Sequence, residues 1–83
     1  MGRGREHAAE YRVLVGMLRE LRKEAGLTQV GLAERLGKPQ SYVSKVERGE
    51  RIIDLVEIRW WCREAHADTA AFVKRWEGIL AKI

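Results

Sequence analysis

Between Gln40 and Arg48 the chain carries an amide, two hydroxyls and two cations at helical spacing. At about 100° per residue and with Gln40 as zero, Ser44 falls at about 40°, Arg48 at about 80°, Ser41 at about 100° and Lys45 at about 140°. Val46 and Val43 fall at about 240° and about 300°, so one arc of this segment is polar and the other apolar. Glu47, at about 340°, belongs beside the packing face. An arc of this composition, without a carboxylate, suits base edges and phosphates. Glutamine pairs with adenine N6 and N7, lysine reaches guanine O6 and N7, and hydroxyls or arginine meet the backbone. A merely solvated helix face would use similar residues, so the elements that hold this arc decide between the two.

Those elements are helical. The sequence has one proline, few β-branched runs and apolar residues at steps of three and four, which predicts an all-α, compact bundle of about five helices. The first runs from about Glu6 to Ala25 on the apolar series Tyr11, Leu14, Leu18, Leu21 and Ala25. Gly26 ends it. Thr28 is the expected N-cap of a second helix, Gln29 to Leu36, which buries Leu32, Ala33 and Leu36 and stops at Gly37. Gly31 inside it costs about 1 kcal/mol relative to alanine. Pro39 suits the first position of a third helix reaching about Arg48. Asp54 with Glu57 forms a capping-box pattern for a fourth helix, with Leu55, Ile58, Trp61, Cys62 and Ala65 inward. Asp68 or Thr69 caps a fifth, amphipathic helix over 69–83 that is expected to close the core along one edge and to pair with a second copy along the other.

Two short helices joined by a glycine-bearing turn form a helix-turn-helix pattern. Its residues are specific: Leu27-Thr28-Gln29-Val30-Gly31-Leu32-Ala33-Glu34-Arg35-Leu36-Gly37, then Gln40-Ser41-Tyr42-Val43-Ser44-Lys45-Val46-Glu47-Arg48-Gly49. The sequence resembles the lambda-repressor-like, Cro/Xre-type helix-turn-helix family of DNA-binding proteins from about Leu14 to Asp68. The resemblance implies a five-helix domain that docks as a symmetric homodimer on a palindromic operator with its third helix in the major groove. It implies base contacts from Gln40, Ser41, Ser44 and Lys45, a phosphate contact from Gln29 that also steadies Gln40, and a structural ion pair between Arg22 and Glu47. Arg59 and Trp60 depart from the pattern, which usually has an apolar residue at the first position and a charged one at the second.

Further backbone contacts are expected from Lys38, Arg48 and Arg51. Tyr42 fits either a packing role or donation to a phosphate. Trp60, Trp76, Leu80 and Ile83 are the expected dimer contacts, and Cys62 reads as a small buried hydrophobe. Arg3 and Arg5, separated by Gly2 and Gly4, fit a short basic arm over 1–6, either an unstructured tail or a segment that enters the minor groove.

The remaining composition bounds the function. The chain has 83 residues, 16 Lys+Arg against 12 Asp+Glu, and a formal net charge of +4. One domain over 1–83 with a modest core and a polyanionic partner is the expectation, and at this size oligomerisation is the usual source of extra stability. A single cysteine and two separated histidines predict neither disulfide nor metal, and no cofactor. No signal-peptide or membrane-spanning pattern occurs, which predicts a cytoplasmic protein that joins the nucleoid when bound to DNA. No carboxylate pairs with a histidine or cysteine in a catalytic pattern, so the reading is non-enzymatic. Double-stranded DNA is thus the expected partner of a transcriptional regulator. The alternative is an antitoxin or interaction module of the same fold that acts mainly on a protein partner.

Overall fold

The computed structural model describes residues 8–83. Five helices follow in order: α1 (Ala9–Glu24), α2 (Gln29–Leu36), α3 (Gln40–Glu47), α4 (Leu55–Glu64) and α5 (Thr69–Leu80). α1 packs against α3, α4 and α5, α2 against α3 and α4, and α4 against α5. The fold is therefore all-α, as the hydrophobic spacing predicts, with no strand among the described residues. The basic arm over 1–6 lies outside the described residues.

The centre is built from Leu18, Leu32, Val43, Val46, Trp61 and Cys62, each less than 2% exposed. They come from all of the first four helices, and burial of an aliphatic side chain of this size contributes about 1.5–3 kcal/mol. Phe72 brings α5 onto this cluster. Ala33 is 2% exposed where α2 meets α3, so its small side chain sits at the closest helix pair of the motif. Gly37 has φ 69° and ends α2 in the left-handed conformation, and the Lys38 N–H then donates to the Ala33 carbonyl at 2.9 Å. This is the bend that sets α3 across α2.

The caps explain the starts. The Thr28 hydroxyl accepts from the Gly31 N–H at 2.9 Å. A Cβ at Gly31 would stand 3.2 Å from that same hydroxyl oxygen, so glycine inside α2 keeps the cap uncrowded. Asp54 and Glu57 form the reciprocal capping box of α4.

Four boundary and burial expectations are corrected. Ala8 has an extended ψ of 142° and caps α1, so the helix begins at Ala9 and not near Glu6. Pro39 is the N-cap of α3 with ψ 155° and not its first helical residue, and α3 closes at Glu47. Leu55 is 65% exposed, because the first turn of α4 projects beyond the core, and Glu57 takes an inward place. α5 ends at Leu80, leaving Ile83 beyond the terminal turn, 77% exposed.

His66, after α4, has φ 58° and an exposed side chain. A left-handed conformation costs a β-carbon-bearing residue about 1–2 kcal/mol, partly offset by the greater entropy that glycine loses on folding. His66→Gly is expected to stabilise the fold by about 0.5–1 kcal/mol, raising the melting midpoint by a few degrees. Thermal denaturation followed by circular dichroism checks this; an unchanged or lower midpoint contradicts the strain argument.

Candidate nucleic-acid interface

α3 owes its placement to a buried ion pair. Arg22 of α1 donates from Nε to Glu47 Oε2 at 2.6 Å and from Nη2 to Oε1 at 3.0 Å, a two-pronged contact with side chains only 10% and 4% exposed. Arg22 Nη1 also donates to the Leu27 carbonyl at 2.8 Å. One guanidinium therefore fixes α3, the α1–α2 turn and α1 to one another. The expected pair is present, and its planar fork suits a carboxylate in this geometry.

From Glu47 a directional chain leads to the surface. Gln29 Nε2 donates to Glu47 Oε1 at 2.9 Å, and Gln40 Nε2 donates to Gln29 Oε1 at 2.7 Å. An ionised carboxylate only accepts, so the Gln29 amide must turn its nitrogen inward and its oxygen towards Gln40. Gln40 in turn must present its nitrogen to Gln29. The exposed amide of Gln40 is left with its own carbonyl oxygen and one N–H facing outward, an acceptor beside a donor.

Around it, Ser41, Lys45 and Arg48 are exposed, as the wheel predicts, whereas Ser44 is only half-exposed. Arg48 does not stand free. It donates from Nε and Nη2 to both oxygens of Glu50, at 3.0 and 3.1 Å, and from Nη1 to the Ser44 hydroxyl. Those contacts push the Arg48 pKa up and hold the Glu50 carboxyl below its ordinary value, with Lys45 adding a weaker attraction to Glu50. With one lone pair of Ser44 engaged, its hydroxyl proton remains for an outside acceptor. The carboxylate at this rim was missed by the helical wheel, because Glu50 comes from the loop and not from α3. The signal was present in Arg48-Gly49-Glu50, where glycine permits a reversal.

Of the two roles open to Tyr42, packing and donation to a phosphate, the structure fits packing. Tyr42 is 8% exposed, and its hydroxyl donates to Glu57 Oε2 at 2.9 Å. Burial first, then this bond to Glu57, push its pKa up to about 12. Arg51 shares the same carboxylate at 3.0 Å and donates to the Ile52 carbonyl at 2.7 Å. Lys38 Nζ and Arg51 Cζ each lie 5.4 Å from the centre of the Tyr42 ring, and Lys38 is also 5.7 Å from that of Trp60. Tyr42 and Arg51 thus meet on Glu57, with Lys38 over the Tyr42 and Trp60 rings, in a cluster that fastens α3 to α4. Tyr11 fastens the intervening loop: its hydroxyl accepts from the Ile53 N–H at 3.1 Å and donates to the Arg51 carbonyl at 3.4 Å.

A family profile described as Helix-turn-helix matches residues 18–59. A solved structure of an XRE-family like protein from Pseudomonas syringae pv. tomato str. DC3000 is 44% identical, covers 88% of this chain and 89% of its own, and superposes with a TM-score of 0.83. The chain belongs to the Xre-type helix-turn-helix family. No curated protein matches the sequence. Xre-type proteins are DNA-binding regulators, which makes the Gln40–Arg48 face the candidate interface of this one. No helix among the described residues is long and apolar enough to cross a membrane.

Removing one member of a buried ion pair strands the other, at about 3–5 kcal/mol. In this Xre-type domain Glu47→Ala is expected to lose about that much stability in urea unfolding. Arg22→Ala with Glu47→Ala should cost clearly less than the two single losses added together. Additive losses contradict a direct pair.

Proposed function

We propose that the protein is a sequence-specific regulator of transcription that binds double-stranded operator DNA as a homodimer, with α3 in the major groove. The observation that carries the reading is the oriented Gln40 amide, held by Gln29, Glu47 and Arg22. Its outward carbonyl and N–H match the N6 donor and N7 acceptor of adenine. Ser41, Ser44 and Lys45 are the accompanying base contacts, with guanine O6 and N7 within the chemistry of the lysine. Gln29 keeps its second amide hydrogen for a phosphate. Lys38, Arg48 and Arg51 supply further cationic charge at the margins of the face. The proposed setting is the cytoplasm, with the protein on the nucleoid when bound.

Gln40→Ala and Lys45→Ala are expected to lower affinity for the best site in a genomic fragment library by about 1–3 kcal/mol each, with little effect on bulk DNA from Gln40→Ala. Fluorescence anisotropy measures this. Absence of any preferred site, with both variants unchanged on all DNA, removes the reading and favours the alternative of a protein-directed module or antitoxin.

Self-association belongs to the same proposal, and the fold shifts its expected surface. The Trp76 indole N–H donates to the Glu10 carbonyl at 3.0 Å, and its ring packs against the core. Much of Trp76 is therefore engaged within one chain, and Leu80 is half-buried. Leu55, Val56 and Ile83 are exposed by 65%, 57% and 77%, and Val56 lies one turn before half-buried Trp60 in α4. The proposed contact with a second copy centres on Leu55, Val56 and Trp60. Val56→Asp should shift sedimentation equilibrium from dimer to monomer, while the circular dichroism spectrum stays helical. A wild-type chain that is already monomeric contradicts the dimer.

A further inference from the structure

Gly49 has φ 77° and turns the chain back on α3. The Glu50 N–H then donates to the Lys45 carbonyl at 2.9 Å, followed by the Arg51 N–H to the same oxygen at 3.3 Å. Glu50 is thus pinned by its backbone against the last turn of α3, on the side where Arg48 stands. Both oxygens of its carboxylate are taken up by the Arg48 guanidinium, while the two side chains remain 54% and 56% exposed. An exposed pair of this kind adds little to stability, because water and salt screen it. Its placement at the rim of the reading face has a larger consequence for what approaches that face.

The geometry points to Glu50 as an internal competitor for phosphate: its carboxylate occupies the Nε and Nη2 fork of Arg48 in the free protein, so a DNA phosphate gains that two-pronged contact only by displacing Glu50. This inference rests on the DNA-binding reading of the α3 face. A phosphate neutralised by a free arginine releases condensed counterion, which is why affinity falls as salt rises. Arg48 is not free. When a phosphate takes its guanidinium, the Glu50 carboxylate is left beside the DNA backbone and must take up a cation of its own. Release and uptake cancel, so the pair adds attraction only at short range and nothing to the long-range electrostatic affinity. Glu50 therefore lowers binding to arbitrary DNA, where Coulomb attraction supplies nearly all of the affinity. Contacts that require base edges, from Gln40 and its neighbours, are left as the larger share of what holds the protein to a site.

The test uses the full chain and a fluorescein-labelled mixed-sequence duplex, titrated by anisotropy between about 50 and about 200 mM salt. Glu50→Gln keeps the shape and removes the charge. It is expected to bind about 2–5-fold more tightly at the low-salt end, the range that one exposed ion pair supplies, with a log–log salt slope steeper by about 0.9. Arg48→Gln added to Glu50→Gln should return the slope to that of the wild type. Thermal melts confirm that the variants, all at exposed positions, remain folded. If Glu50→Gln binds this duplex equally or more weakly, or with an unchanged slope, the competition is overturned. Lys45→Ala separates the two levels. If it too leaves DNA binding unchanged, the reading of the face fails; if it weakens binding while Glu50→Gln does nothing, only the competition fails.

Discussion

Arg22 occupies an inward position of α1 among Leu14, Leu18 and Met17, where a guanidinium without partners would be expelled to solvent. It stays because Glu47 meets it with two oxygens and the Leu27 carbonyl takes a third N–H. Desolvation of the two charges is offset only when such geometry is complete, so the pair tolerates one relative placement of α1, the α1–α2 turn and α3. Apolar contacts between helices are less exacting and allow small slides and rotations. What depends on the pair is therefore the aim of α3 rather than its attachment.

α3 is eight residues long, too short to hold helical form alone in water. Its shape comes from what it touches, and it is touched by polar anchors on two sides. Glu47 ties it to α1 and α2 through Arg22 and Gln29, while Tyr42 ties it to Glu57 of α4. Val43 and Val46, fully buried between them, supply apolar burial without directional demand. The short helix thus gains a defined rotation about its own axis, which is the quantity that decides whether Gln40 and Lys45 share one face. The Tyr42 hydroxyl is protonated and donating throughout the neutral range as any tyrosine is, and burial, which pushes its pKa up to about 12, extends that state into alkaline solution.

The features legible in the sequence were those set by local chemistry. Thr28 as a cap, the Asp54 and Glu57 box, Gly37 as the turn and the two-faced α3 all follow from residue type and spacing within one element. The wheel also separated Glu47 from the reading arc, and the buried pair agrees with that separation. What stayed hidden depends on how elements meet. Tyr42 has an angular position compatible with an outward hydroxyl, and only the arrival of Glu57 from α4 turns it into an anchor. Leu55 reads as inward by period, but the first turn of α4 overhangs the core. Glu50 lies outside α3, whose period defines the polar arc, and a backbone reversal at Gly49 brings it to the rim.

Two kinds of polar group consequently surround the α3 face, and they differ in how far they are organised in advance. Gln40 is oriented before any ligand arrives, through a chain whose last member is buried. Hydrogen bonds to base edges are short-ranged and directional, so orientation before binding removes an entropic cost that would otherwise be met on contact. Arg48 is held too, but by an exposed carboxylate that competes with a phosphate for the same fork. Coulomb attraction needs no such orientation and acts on every sequence alike. On the proposed DNA-binding role, a face with a fixed amide and an occupied cation would place its unconditional interactions where sequence is read, and would make conditional the one that is indifferent to sequence. On a small domain with a net charge of only +4, that division favours discrimination between sites over general affinity for DNA.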